Sequence, residues 1–261
     1  LLFSILFLSF CSIHASNLLI PMDAETQKEH LKAYGLTYWL LKNNAKAHWL
    51  LNYRGGSFLL PDSEEIRNEC VVRGVSFEVL SDTQTAALFE LISSPSQNME
   101  AVLLEKAPRI AVYAPKTNQP WDDAVTMVLT YAEIPYEVIY DTEVLQDGLL
   151  AFDWLHLHHE DFTGQYGKFY RAYRSAPWYI KNKVEAEALA QQLGYSKVSE
   201  AKRDVALKIR DYVLGGGFMF AMCSATDSFD IALAAEGIDI CEPMFDGDPS
   251  DPGYSSKIDY S

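Results

Sequence analysis

Short apolar runs alternate with segments of helical period along most of this chain, and only a few residues join one to the next. The alternation is clearest from residue 110 onward. The run IAVYA (110–114) leads through a loop containing Pro115 and Pro120 to a helical segment at 122–132 and a strand at 136–140. A strand at 152–158, helices at 183–193 and 197–214, a break at Gly215-Gly216-Gly217, a strand at 218–222 and a helix at 226–236 complete the series. Strands that are apolar throughout and separated by helices bury both faces of a parallel sheet, so the expected class is α/β.

The N-terminal half is read in the same way. Residues 18–22 and 47–53 have strand character and flank a helix at 25–44 that carries Leu31, Tyr34, Tyr38 and Leu41 on one stripe, a β-α-β pattern that favours a parallel sheet with a right-handed crossover. Acids at 62–65 open a further helix, Gly74 ends it, and a strand at 75–80 precedes a helix from about residue 82. The stretch SSPSQNME (93–100) is the best linker candidate. The expected organisation is a signal segment at 1–16, an N-terminal α/β portion at 17–106 and a larger domain at 107–261. The loop-like tail from residue 242 lacks a closing element, so the chain is expected to continue beyond Ser261.

Thirty-six acidic against 21 basic side chains give a net charge of −15. Such a field repels nucleic acid and anionic membrane before specific contacts form. Residues 1–16 carry an uncharged apolar run ending in small polar residues, which reads as a secretory signal peptide truncated at its start. The run is too short to span a bilayer. Phe10 stands where a lipoprotein cleavage box has a small residue, so no lipid anchor is expected and the mature chain is read as periplasmic or extracellular. Signal removal leaves Cys70, Cys223 and Cys241, an odd number with no zinc-pair spacing. One thiol therefore has either a packing or a chemical role.

The sharpest signal is GGGFMFAMCSATD (215–227), where an apolar strand meets its helix at Cys223. A thiol at such a turn lies at the carboxyl edge of the sheet and beside a helix N-terminus, the geometry of a nucleophile elbow. The alternative is a buried cysteine that only packs. This strand, cysteine turn and helix resemble the class I glutamine amidotransferase-like superfamily, with its DJ-1/PfpI-type relatives, over residues 108–261. The resemblance implies a flavodoxin-like, doubly wound, mostly parallel sheet with an additional N-terminal α/β portion. NLLIPMD, LLNYRGGSFLLPD, LHLHHEDFTG and FAMCSATDSFDIALA together resemble an exported family labelled asparagine synthetase B in genomes. An N-terminal cysteine glutaminase and an SGGxDS-type loop, which a synthetase of that name implies, are not found in the sequence. Glutaminase members have G-x-C-x-G at the elbow and a His after the cysteine, whereas this chain has Ala221 and Ala225 and no His beyond Cys223.

Substitute partners lie in HLHHEDFTG (156–164). Strand alternation points His156 and His158 to one face and turns His159 away. With the strand ending at His158, His159 is the expected base for Cys223 and Glu160 or Asp161 its orienting partner. His158, Gly164, Ser224 and Thr226 are the expected substrate contacts, Gly164 through an oxyanion-binding amide. The expected function is a cysteine-dependent amide hydrolase or transferase without a cofactor, acting on a small-molecule, glycan or peptide ligand. The alternatives are a non-catalytic ligand-binding or scaffolding module and, more weakly, a metal-dependent hydrolase built on His156 and His158 with Glu160 or Asp161.

Three further features have two readings each. Asp246, Asp248 and Asp251 form either the start of a calcium loop or a solvated acidic turn. Arg54-Gly55-Gly56-Ser57 is an anion-presenting loop or a tight turn. Tyr170, Tyr173, Trp178 and Tyr179 line a ligand pocket or pack as a lid.

Overall fold

The computed structural model describes residues 16–115, 124–165 and 169–260. The signal segment, Ser16 apart, and the start of the helix expected from Asp122 lie outside these residues. By internal contacts the chain divides into a unit of residues 1–107 with 124–134 and a unit of residues 108–123 with 135–261.

The first unit contains β1 (Ser16–Ile20), α1 (His30–Lys42), β2 (Ala47–Leu51), β3 (Ser57–Pro61), α2 (Glu64–Arg73), β4 (Glu78–Ser81), α3 (Asp82–Ser93) and β5 (Glu100–Leu104). Local chemistry sets several of these ends. Ser63 accepts from the Ile66 amide at 3.2 Å, Gly74 closes α2 in the left-handed region, and Ser81 with Gln84 forms a capping box for α3. Alternation along β1 divides the core: Leu18 and Ile20 meet Leu36, Leu40, Ile66 and Cys70 of α1 and α2, while Leu19 meets Leu88 and Ile92 of α3.

The sheet order β4-β1-β3-β2-β5, antiparallel at every ladder, corrects the expected parallel arrangement. β1 and β2 do run in the same direction, because each is antiparallel to β3, but β3 lies between them. The cause is the hairpin turn at residues 52–56, where Arg54, Gly55 and Gly56 all have positive φ and return the chain alongside β2. A side chain on Gly55 would come within 2.4 Å of the Met22 carbonyl. Residues 93–100 join α3 to β5 inside this unit, so the linker reading is corrected too.

The second unit begins at β6 (Ile110–Tyr113). The helix that follows in sequence, α4 (Ala124–Ala132), groups by its contacts with the first unit and packs on α1, where Gly35 admits the backbone of Ala132. Then come β7 (Glu137–Ile139), α5 (Asp141–Leu145), β8 (Trp154–Leu157), α6 (Phe169–Tyr173), α7 (Pro177–Gln192), α8 (Val198–Leu214), β9 (Phe218–Ala221) and α9 (Ser224–Ala234). The four strands are parallel in the order β7-β6-β8-β9. Ala111, Tyr113, Leu155 and Leu157 face Val144 of α5, Val205, Ala206 and Ile209 of α8, and Ala225 and Phe229 of α9 in one apolar core. The molecule is thus α/β, with one antiparallel and one parallel sheet among the described residues. No helix among the described residues is long and apolar enough to cross a membrane.

Candidate functional site

Cys223 occupies the turn between β9 and α9 as the N-cap residue of the helix, and it is exposed. Its backbone angles are φ 55° and ψ −140°. Asp147 also has positive φ, but its ψ of 21° lies in the ordinary left-handed helical well. Cys223 falls outside that well, in a region close to glycine-only territory and costing of order 1–3 kcal/mol for a residue with a Cβ. The chain is forced through this angle by bonds on either side: the Met222 amide donates to the Leu157 carbonyl at 3.0 Å and the Ala225 amide to the His158 carbonyl at 3.1 Å. Ala225 is fully buried in the core beneath the turn.

The His-rich segment lies directly alongside. Strand β8 ends at Leu157, one residue earlier than expected, and the Glu160 carboxylate accepts from the His158 amide at 2.8 Å to close a turn. Alternation therefore stops. The His156 and His158 rings are in contact at 5.9 Å, as neighbours on one face are, but the His159 ring stacks on His158 at 3.7 Å, which corrects the expectation that His159 turns away. His156 is buried with its ring stacked on Phe220.

Three hydroxyls of α9 stitch this region together. Ser224 Oγ donates to the His159 carbonyl at 3.1 Å, Ser228 Oγ to the Glu160 carbonyl at 2.7 Å, and Thr226 Oγ1 to the Cys223 carbonyl at 2.6 Å. Ser224 and Thr226, expected at the substrate, thus face backbone. Ser228 was not singled out in the sequence, although its spacing of four from Ser224 puts both on one helix face.

Comparison of the chain with protein-family models, with curated proteins and with solved structures finds no match.

The remaining predicted residues divide. Asp161 Oδ1 accepts from the amide and hydroxyl of Thr163, at 2.9 and 2.6 Å, and so holds its own loop. Gly164 has φ 73° and packs on the start of α8, where an added Cβ would lie 2.7 Å from Ser199 Cα; its carbonyl accepts from the Cys241 thiol. Burial and nearby acids push that thiol up to about 12, and burial pushes Cys70 up to about 11, so both are packing cysteines.

Among the described residues, the one group of three or more His, Cys, Asp or Glu ligand atoms close enough to share an ion is Asp239, Asp246 and Asp248. Lys197 Nζ sits among them, 2.7 Å from Asp239, 3.5 Å from Asp246 and 2.7 Å from Asp248, in the place a cation would take. His156 and His158 form no such group with Glu160 or Asp161. Tyr170 packs edge-on against Tyr179 and Phe245, and Tyr173 meets Trp178, so these rings pack on one another. Burial first, then Tyr170 and Asp161, push the Tyr179 phenol up to about 12. A cavity of about 200 Å³ lined by Phe162, Thr163, Ser199, Arg203 and Asp239 touches neither Cys223 nor His159.

A second cluster lies at the carboxyl ends of β6 and β7. Lys202 of α8, buried, donates to Tyr113 Oη at 2.9 Å, Tyr140 Oη at 2.9 Å and Asp141 Oδ1 at 2.8 Å, and Tyr113 also donates to Asp141. Asp141 holds the lysine above its ordinary range despite burial, and burial raises both phenols. The signal for it was present in the sequence: Lys202 interrupts the apolar stripe Val205, Ala206 and Ile209 at helical spacing.

Proposed function

We propose that this chain is an exported, amidotransferase-like α/β protein whose Cys223 attacks the carbonyl of an amide or related acyl compound. The observation that carries this reading is the strained backbone of Cys223 at a strand-to-helix turn, because strain that the surrounding bonds impose on one exposed thiol is the mark of a presented nucleophile. The order β7-β6-β8-β9, with α5, α8 and α9 on one face, supports a flavodoxin-like arrangement in which ligands bind at the carboxyl ends of the strands.

His159 accepts the thiol proton as sulfur adds to the carbonyl carbon, then delivers that proton to the departing amine as the carbon–nitrogen bond breaks. Water adds to the resulting thioester, with His159 taking its proton, and the acid leaves as the thiol is restored. The N-terminus of α9 stabilises the anionic sulfur. Glu160 holds the imidazole-bearing turn through the His158 amide.

A second reading is a ligand-binding module without turnover. It is favoured by the engagement of Glu160 and Asp161 with backbone amides. Cys223→Ala separates the two when amine release is followed across a panel of glutamine, aryl amides and peptide amides. Release that requires Cys223, with a trapped acyl-protein mass, supports the enzyme. Absence of release by the native chain, with glycan or peptide binding unchanged in Cys223→Ala, supports the module.

A further inference from the structure

Among the described ion pairs, Lys202 with Asp141 is the one in which both side chains are under a tenth exposed. A buried pair is seldom a source of stability over a well-packed apolar replacement, so its placement asks for a role. A route of packed rings leads from it to the elbow. Tyr113, held by Lys202 and Asp141, stacks on Phe162 at 5.3 Å, and Phe162 meets Phe229 of α9 edge-on at 5.5 Å. Tyr140 accepts from the same lysine at 2.9 Å and packs against the Tyr113 ring at 5.0 Å, which backs that route. The loop from His158 to Phe162 is therefore clamped between this network and α9, to which Ser224 and Ser228 bind it.

We infer that Lys202, Asp141, Tyr113 and Tyr140 are positioning residues that hold the stacked imidazoles of His158 and His159 beside the cysteine turn. The inference rests on the proposed chemistry for its purpose but not for its test. Tyr113→Phe removes one hydroxyl and keeps the ring on Phe162. The double variant Lys202→Met with Asp141→Asn removes both charges without changing the net charge, so no buried ion is orphaned.

The experiment records the imidazole ring resonances of His158 and His159 in the full chain, assigned with His158→Gln and His159→Gln, together with melting curves and the rate of Cys223 alkylation by iodoacetamide from pH 5 to 9. Both network variants are expected to melt cooperatively, to lose the mutual ring-current displacement of the stacked rings and to alkylate Cys223 several-fold more slowly near neutral pH, as misplaced catalytic groups do. Ring resonances that superimpose on those of the native chain in either folded variant overturn the inference and leave the network as core filling. Displaced resonances in a chain whose native Cys223 reacts no faster than an unfolded thiol sustain the positioning role and defeat the proposed chemistry instead. Should Tyr113→Phe not fold, the double variant and Tyr140→Phe decide by the same readout.

Discussion

Cys223 carries the most informative pair of angles in the molecule. At φ 55° and ψ −140° a glycine relaxes and an alanine does not. Cys223→Gly is therefore predicted to be more stable than Cys223→Ala by about 1–3 kcal/mol, measured by urea denaturation. Equal stabilities, or a more stable alanine variant, would show that the turn stores no strain. The position of this thiol was legible in the sequence, because an apolar strand and a helix meet there with no room for a loop. The orientation of the imidazoles was not. It depends on one carboxylate, Glu160, folding back on the His158 amide and ending the strand a residue early, which strand alternation has no means of signalling.

At the scale of elements, the loop after β8 is fixed by packing as much as by hydrogen bonds. Gly164→Ala places a methyl against Ser199 at positive φ and is predicted to destabilise the chain by about 1–3 kcal/mol, read from the urea midpoint. An unchanged midpoint would mean that α8 gives way freely. Lys202→Met alone leaves the Asp141 carboxylate buried without its ammonium and is predicted to cost about 3–5 kcal/mol, most of which Asp141→Asn restores. Non-recovery in the double variant would contradict the pairing. In the N-terminal unit, the Thr26 hydroxyl holds the Asp23 carboxyl below its usual range, Arg67 does so for Asp62, and Lys32 for Glu133. A depressed folded-state value contributes stability that is complete above the ordinary carboxylate range and lost as pH falls below it. Melting temperature should fall below about pH 4, and a flat profile down to pH 3 would contradict these pairings.

Across the whole molecule, legibility follows the range of the interactions. The helices and most strands were readable from period and capping residues, and the second unit has the parallel ladder that its alternation implied. The first unit shows the same local alternation, yet its sheet is antiparallel, because a five-residue turn inserts β3 between two strands that a helix already joins. Nothing local to β1, α1 or β2 distinguishes the outcomes. The charge of −15 also acts at this scale, repelling anionic reagents from an exposed thiol.

The most direct test of the central claim is mass-mapped alkylation by neutral iodoacetamide at pH 7, comparing the native chain with the same chain in urea. The thiol of Cys223 is predicted to react about tenfold or more faster in the native state, while the buried Cys70 and Cys241 react only after unfolding. A Cys223 that labels no faster folded than unfolded would contradict its assignment as a presented nucleophile.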